Sequence, residues 1–383
     1  MPTSLREVAV AAGVSLSTAS RVFTNAATVS PEIRERVLAA SEELRYRPRA
    51  RVPRQETQAL RNLIFLVRVH NRAGLAAMLG DFYGYVLQGV EAECRRQRVS
   101  MRFALDDDSL LESQLERLEP PGDSGILLVG PFTAADVATV QRFGYPLVLL
   151  NNVVEQPVDA VLPDYFLGAQ LAVRHLLAAG HRRIAYLHGR DRYTTRLRQQ
   201  GYETALREAG ITPDPQWLVS SSMSPQAARE AVVELLRRDT GCTALFCVND
   251  VSAYGALLAL ADEGLIPGAD FSLVGFDDVD LSALTTTSLT TIHVPKLEMG
   301  ALAVRRLQER AADADGPIQR VLLGVHLVAR ETVCVPTQAT MRSRARAQET
   351  QARQQPSGGG AQPEGLDGLA VGASDLRNAI VRE

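Results

Sequence analysis

The chain has 383 residues, of which 46% are hydrophobic and 22% are charged, a composition typical of a globular protein with two or three domains. No apolar run approaches the ~20 residues that span a bilayer, and the N-terminus lacks the apolar core of a signal peptide. We therefore expect a cytoplasmic protein without membrane contact. The four cysteines form neither a CxxC metal pattern nor a dense disulfide framework, so we expect them to be reduced and mostly buried.

The net charge of −3 is unevenly distributed along the chain. Residues 1–61 contain ten arginines and six glutamates, which gives this segment a charge of +4 and leaves −7 for the remainder. A basic N-terminal segment on an acidic body is typical of a protein that contacts phosphates with one end only.

The first predicted elements are two short helices separated by Gly13, within LREVAVAAGVSLSTASRV (residues 5–22). Ser4 and Glu7 form a capping-box pattern for the first helix, and Gly13 can adopt the left-handed conformation that ends it. Ser15 can cap the second helix, which is short enough to enter the DNA major groove. The pattern predicts a helix-turn-helix, although an ordinary helical hairpin has the same local features.

A third helix is predicted for EIRERVLAASEEL (residues 32–44), because its apolar residues recur on one face. Ser30 provides a cap, and Pro31 occupies the first helical position, where proline is favoured. Pro48 stops the helix.

The sequence LREVAVAAGVSLSTASRVF…VSPEIRERVLAASEELRYRP resembles the headpiece of lactose-repressor (LacI/GalR-type) transcription factors, and the resemblance continues to about Pro336. It implies a sequence-specific regulator, a repressor, that binds double-stranded operator DNA as a homodimer. By resemblance, base edges are read by Leu16, Ser17 and Arg21. Phosphates are contacted by Ser4, Ser15, Thr18 and Ser30. An arginine at such a position can pair with guanine, whereas a leucine offers apolar contact or belongs to the helical core.

Residues 45–61 form an arginine-rich linker, in which Arg49 and Arg51 are further candidates for DNA contact. In the family this segment becomes a hinge helix whose leucine enters the minor groove. Here Gln55 takes the leucine position and Pro53 interrupts the helical pattern. The segment is either an arginine-rich arm in a narrow minor groove or a solvated linker.

From Leu63 onward, short apolar runs alternate with helical patterns. We expect strands at residues 63–69, 101–105, 125–129, 147–150, 184–187, 244–248 and 272–276. Such spacing indicates two doubly wound parallel sheets with helices on both faces. The fold class is therefore an all-α helix-turn-helix headpiece followed by an α/β two-lobed body, which by resemblance is periplasmic-binding-protein-like. Ligands of such sheets bind beyond the carboxyl ends of the strands.

The resemblance places a small-molecule effector, a carbohydrate or a derivative, between the two lobes. It assigns effector contacts to Arg198, Asn249 and Asp277. An arginine suits vicinal hydroxyls or a carboxylate. Each residue also has an ordinary alternative: a solvated arginine, a helix cap and a turn residue, respectively.

Weaker effector assignments fall on Tyr83, which by resemblance matches an aromatic lining position of the first lobe, and on Asn151 and Met223, where the chain departs from the family's common residues. Methionine packs against a sugar ring but stacks less well than an aromatic side chain. These departures leave the effector unnamed.

We expect neither a cofactor nor a metal site, and no enzymatic activity, because the histidines are scattered and no P-loop, GxSxG or HExxH motif occurs. The alternatives are a solute-binding protein or a sugar-processing enzyme with the same two-lobed body. The predicted domains are the headpiece (1–48), the hinge (49–61), the effector-binding and dimerisation body (62–336) and a disordered tail (337–383).

Overall fold

The structure is a computed structural model that describes residues 5–15, 18–19, 22, 30–44, 60–68, 80–106, 111–118, 121–238 and 240–336. Several predictions fall outside this range: the DNA contacts of Ser4, Leu16, Ser17, Arg21, Arg49 and Arg51, the hinge residues Pro53 and Gln55, and the tail 337–383. Within the described part of the chain, no helix is both long enough and apolar enough to cross a membrane.

The N-terminal segment contains helices α1 (Leu5–Ala11) and α2 (Pro31–Glu43), and Thr18, Ala19 and Val22 are also helical. Their contact buries a small core that includes Val8, Ala12, Ala19, Val22 and Val37. These apolar residues lie at helical spacing in the sequence, so their burial explains why the short helices form.

The glycine turn and the Ser15 cap predicted for this segment are confirmed. Gly13 has φ +64°, and the Ser15 hydroxyl accepts a hydrogen bond from the Thr18 amide at 3.1 Å. Ser30 occupies the N-cap position of α2, as predicted, but its exposed side chain makes no hydrogen bond to the helix. Pro31, whose fixed φ is preorganised for the first turn, begins α2 without it.

The first lobe is built on a six-stranded parallel sheet with the order β11-β5-β4-β3-β1-β2. Its strands are β1 (Asn62–Arg68), β2 (Ser100–Asp106), β3 (Ser124–Val129), β4 (Leu147–Leu150), β5 (Asp159–Pro163) and β11 (Arg320–Leu323). Its helices are α3 (Asp81–Gln97), α4 (Leu111–Arg117), α5 (Ala134–Arg142) and α11 (Lys296–Ala312). The central strands are buried on both faces, as helices packed on both sides of a parallel sheet require.

The second lobe contains a four-stranded parallel sheet with the order β7-β6-β8-β9. Its strands are β6 (Ile184–His188), β7 (Leu218–Ser220), β8 (Ala244–Cys247) and β9 (Ser272–Val274). Its helices are α6 (Tyr165–Ala178), α7 (Tyr193–Glu208), α8 (Pro225–Arg237), α9 (Asp250–Asp262) and α10 (Leu281–Leu284). An antiparallel pair, β10 (Thr291–His293) and β12 (His326–Val328), completes the described strands.

The lobes are not successive halves of the chain, because α11 and β11 follow the second sheet but belong to the first lobe. Helix α11 packs closely against α3 through glycines on both helices. A Cβ atom at Gly300 would lie 2.1 Å from the Val86 carbonyl oxygen, and one at Gly89 would lie 2.0 Å from the Leu297 carbonyl oxygen. Only glycine permits this approach of the two backbones.

All four cysteines are free, and three of them are buried, as predicted from their spacing. Cys334 alone is partly exposed.

Candidate functional site

The described part of the headpiece presents hydroxyl groups at the beginnings of two helices. Ser15 and Ser30 are exposed, and the hydroxyls of Ser15 and Thr18 lie 2.8 Å apart. Arg36 of α2 donates to the Ala12 carbonyl at 2.5 Å and thereby ties α2 to the turn after α1. A helix start with exposed N–H and O–H groups can bind a phosphate oxygen.

The second candidate site lies at the carboxyl ends of the strands. Asn151 follows β4 directly, Asn249 comes two residues after β8, and Asp277 follows the end of β9 by three residues. Arg198 lies in the second turn of α7, the helix that follows β6. The sheet topology thus brings side chains that are distant in sequence to one edge, where ligands of open α/β sheets bind.

Arg198 and Asp277 form the centre of this site. The distance from Arg198 Nη2 to Asp277 Oδ1 is 3.7 Å, and both side chains are almost completely buried. Arg198 Nε and Asp277 Oδ1 have no hydrogen-bond partner among the described residues. Buried polar atoms of this kind are rare in folded proteins, and they point to a ligand or water that satisfies them when bound.

The Arg198 guanidinium is held in place by two aromatic rings. Its central carbon lies 3.9 Å from the Tyr165 ring centroid and 4.5 Å from the Phe276 ring centroid. Stacking on both rings fixes the plane of the donor fork, so that Nε and Nη2 keep a constant direction.

Asp277 is held in an unusual environment. Burial raises its pKa to about 7, although the charges of Arg198 and Lys296 act in the opposite direction. Its backbone has φ +109°, and that of Asp278 has φ +52°, both in the left-handed region that side chains other than glycine rarely adopt. Such strain persists only where the surrounding structure enforces it.

Lys296 provides that support. Its Nζ donates to the carbonyl oxygens of Asp277 at 2.6 Å and Asp278 at 2.9 Å. Asp278 has a structural role: its carboxylate bonds to Arg330 and His293, at 2.6 Å and 2.8 Å. The strained loop is therefore anchored on both sides.

On the first lobe, Asn151 connects two tyrosines. Its Nδ2 donates to the Tyr83 hydroxyl at 2.8 Å, and its Oδ1 accepts from the Tyr165 hydroxyl. Burial raises the pKa of Tyr83, so the phenol keeps its proton. Because Tyr165 also stacks on Arg198, a continuous series of side-chain contacts connects the two lobes at one site.

The remaining two predicted residues lie at the edges of the site. Asn249 caps α9, since its Oδ1 accepts a hydrogen bond from the Ser252 amide at 2.9 Å. This oxygen therefore has the helix-capping role that the sequence offered as the alternative to a ligand contact. No partner for its Nδ2 is present among the described residues. Met223 packs against the loop after β6, where a Cβ at Gly189 would lie 2.4 Å from the methionine sulfur.

Sequence and structure comparisons identify the family. Residues 4–49 match the bacterial regulatory proteins of the lacI family, and residues 173–333 match the periplasmic binding protein-like domain. The HTH-type transcriptional repressor PurR of Haemophilus influenzae (strain PittEE) is 30% identical over 338 residues, which cover 86% of this chain and 98% of that protein. The chain belongs to the lacI family of bacterial regulatory proteins. It is a DNA-binding transcriptional regulator, and both the family and the fold class predicted from the sequence are confirmed.

Other lacI-family relatives are similar over nearly their whole length. The ribose operon repressor of Haemophilus influenzae (strain ATCC 51907) is 30% identical over 334 residues, covering 86% of this chain and 98% of that protein. A complex of the transcriptional regulator CelR with cellobiose has a TM-score of 0.65 and 28% identity, covering 86% of this chain and 99% of that one. A lac repressor dimer bound to operator and the anti-inducer ONPF has a TM-score of 0.61 and 28% identity, covering 87% of this chain and 100% of that one.

The sequence interpretation missed several residues that shape this lacI-family site. The sequence analysis assigned no role to Tyr165 or Phe276, and Lys296 is the only lysine and belongs to no motif. Asp250, adjacent to Asn249, is fully buried and accepts hydrogen bonds from three groups, including the Thr291 hydroxyl. Burial raises its pKa to about 6. Only the three-dimensional packing identifies these four roles.

Metal binding has no support in the described residues, where no group of three or more His, Cys, Asp or Glu side chains could hold an ion.

Proposed function

We propose that this lacI-family regulator is a repressor that binds a pseudo-palindromic operator as a homodimer and is controlled by a small molecule in the cleft between its lobes. The names of its relatives support repression, and the lac repressor structure contains a dimer on its operator. In a dimer, each headpiece reads one half-site, so the two-fold symmetry of the protein is mirrored in the DNA. DNA binding also supports a cytoplasmic location.

Exposed apolar side chains support dimer formation through both lobes. On the second lobe, Leu284 of α10 is 80% exposed and Val251 of the adjoining α9 is 38% exposed. On the first lobe, Phe103 and Leu105 are exposed on β2, the edge strand of the sheet. Large apolar side chains on an unprotected edge are unfavourable in a monomer and are covered in an assembly.

The observation that carries the effector proposal is the buried pair of unpartnered atoms, Arg198 Nε and Asp277 Oδ1. One group donates and the other accepts, so a bound hydroxyl can satisfy both at once. Asn249, through its Nδ2, and Asn151 with Tyr83 extend the contacts on either lobe, and Met223 is proposed as an apolar contact at the edge. The cellobiose bound to CelR supports a carbohydrate or a carbohydrate derivative as the effector class.

Ligand binding in the cleft can change the position of the headpiece through contacts between the lobes. The Tyr85 hydroxyl on α3 donates to Asp280 on the second lobe at 2.7 Å, three residues after Asp277. A ligand that moves the loop of Asp277 changes this contact and hence lobe closure and the spacing of the two headpieces. By linkage, a ligand that weakens operator binding is itself bound more weakly when operator is present.

The finer assignments are proposals that rest on the family pattern. They comprise the DNA contacts, the absence of enzymatic activity and the bounds of the four domains given above. Membership of a family of regulators supports all three.

The first experiment is a selection of bound duplexes from a random-sequence DNA pool, using the purified full-length protein at two salt concentrations. We expect enrichment of a two-fold symmetric site. Salt-sensitive binding without any enriched sequence would contradict sequence-specific recognition, because phosphate attraction alone has that signature.

The second experiment measures operator affinity by fluorescence anisotropy with and without a panel of sugars that includes cellobiose and ribose. Arg198→Ala and Asp277→Ala should each abolish the change in affinity that the effector produces in the wild type. Arg237→Ala is the matched control, because Arg237 is an exposed arginine of the same lobe whose partner is Glu263. A normal effector response in both site variants would refute the site assignment.

A further inference from the structure

A side chain of α11 holds the end of the linker at Leu60. The Leu60 amide donates to Gln308 Oε1 at 3.2 Å, and Gln308 Nε2 donates to the Leu60 carbonyl at 3.1 Å. Leu60 precedes Asn62, the first residue of β1 that pairs with a neighbouring strand. Buried backbone groups require partners, and the glutamine amide supplies both an acceptor and a donor before the strand pairing begins.

The side chain of Leu60 is fixed by the same helix. It is 3% exposed and belongs to one apolar cluster with Leu307, the residue before Gln308. Both leucines meet at Gly125 of β3, where a Cβ atom would lie 2.7 Å from Leu60 Cδ1 and 3.2 Å from Leu307 Cδ1. The backbone and the side chain of Leu60 therefore both depend on the position of α11.

The opposite end of α11 contacts the loop of the candidate effector site. Lys296 is the first residue of this helix, and its Nζ donates to the carbonyls of Asp277 and Asp278 at 2.6 Å and 2.9 Å. Gln308 lies about 18 Å farther along the helix, at a rise of about 1.5 Å per residue. One helix thus contacts the effector loop at its start and the end of the linker near its own end.

Contacts with α3 and β5 hold α11 along its length. Gly300 leaves no room for a Cβ atom beside α3. Arg310 Nε lies 2.5 Å from Asp159 Oδ2 of β5, and both side chains are buried. Elements packed this closely do not deform continuously but shift as units. A displacement of the helix at Lys296 therefore also displaces Gln308.

We propose that Gln308 is a positioning residue that couples the effector site to the DNA-binding headpiece. It holds Leu60 on the same helix that Lys296 connects to the Asp277 loop. This inference rests on the proposed function, in which a ligand in the cleft alters operator binding. A ligand that displaces the Asp277 loop shifts Lys296 and α11, and Gln308 transmits this shift to the end of the linker.

The test is a double-mutant cycle of K296M and Q308L in the full-length protein, measured by hydrogen exchange of peptides that contain Leu60. Q308L should raise the exchange rate at Leu60 about tenfold, because it removes two hydrogen bonds at similar side-chain volume. K296M should raise this rate in the wild-type background but not in the Q308L background. Independent sites this far apart would act additively.

Operator affinity is the functional readout, and it uses the duplex enriched in the selection described above. K296M should change this affinity in the wild-type background, and Q308L should remove most of that change. Q308E keeps an acceptor for the Leu60 amide but no donor for the Leu60 carbonyl, so its effect should be intermediate. The matched control is Q141L, because Gln141 is a first-lobe glutamine that donates to the Pro157 carbonyl at 3.5 Å. Q141L should resemble the wild type in both measurements.

The proposal is overturned if K296M changes either the exchange at Leu60 or the operator affinity by the same factor in both backgrounds, or if it changes neither. If K296M or Q308L fails to fold, K296Q and Q308E replace them in the same cycle, with Tm as the check on folding. Absence of any enriched duplex would refute the proposed function, whereas the exchange measurements would still decide whether the two ends of α11 are coupled.

Discussion

Replacing Asp277 with asparagine should stabilise the effector-free protein, and the gain should depend on pH. Asparagine resembles the protonated carboxyl group in shape and hydrogen bonding, but it cannot ionise. Burial raises the pKa of Asp277 to about 7 in the folded protein, compared with an ordinary aspartate value of 3.8. A carboxyl group whose pKa rises on folding contributes stability below the unfolded value, and this contribution is lost as the pH rises toward 7.

The magnitude follows from the difference between these two values. About three pKa units correspond to roughly 4 kcal/mol of unfolding free energy at full ionisation. About 1.5 kcal/mol of this is already lost at pH 5, because the unfolded chain is ionised there. The advantage of Asp277→Asn over the wild type should therefore grow by about 2–3 kcal/mol between pH 5 and pH 8.

The assay is urea unfolding followed by circular dichroism at pH 5, 6, 7 and 8. Asp278→Asn is the matched control: burial acts to raise the pKa of Asp278, but hydrogen bonds from Arg330 and His293 bring it below its ordinary value. Loss of the Asp278 carboxylate should destabilise the protein at every pH in this range. A carboxylate with a lowered pKa stabilises the folded state until the pH falls through its pKa in the folded protein. A constant difference between wild type and Asp277→Asn from pH 5 to pH 8 would refute the reasoning.

Substitutions at three other positions test the framework of the site. Gly300→Ala should lower the unfolding free energy by about 1–3 kcal/mol, because its methyl group meets the Val86 carbonyl; Gly324→Ala, with nothing within 4 Å, is the control in the same thermal melt. Asn249→Ala should cost about 1 kcal/mol through loss of the cap. Asn249→Ser keeps a capping oxygen, so calorimetry should find weaker effector binding at nearly unchanged Tm, and unchanged binding would contradict a ligand contact. Lys296→Met should weaken effector binding by releasing the strained carbonyls, and an unaltered binding isotherm would show that Lys296 does not position that loop.

The sequence was most informative where one local rule determines the structure. The glycine turn and the Ser15 cap depend on neighbouring residues alone, and the central strands were recognisable because a buried parallel strand is a continuous apolar run. The prediction was within one or two residues for most of these strands.

Strands β7 and β11, which each lie at one edge of a sheet, were not predicted, because their sequences do not form such runs. Residues 320–323 alternate between exposed and half-buried positions at the edge of the first sheet. The strand at residues 218–220 is only three residues long. Their places depend on partners distant in sequence, such as the pairing of Arg320 with Ala160. Local patterns carry no information about such partners.

For the site, the resemblance supplied candidates but not their environments. The structure brings Arg198 and Asp277 together and places Asn151 and Tyr83 beside them. The raised pKa of Asp277 could not be predicted, because it results from burial by several segments of the chain. The same holds for the aromatic rings on either side of Arg198.

The buried lysine makes the regulator suitable for single-site chemical labelling. Lys296 carries the only side-chain amine in the sequence, and this amine lies against the carbonyls of the Asp277 loop. Apart from the N-terminal α-amine, an amine-specific reagent therefore has a single target, and burial lowers the pKa of that target. Reductive methylation followed by mass spectrometry would measure how often the loop opens, and slower labelling with effector present would report closure of the cleft without any introduced probe.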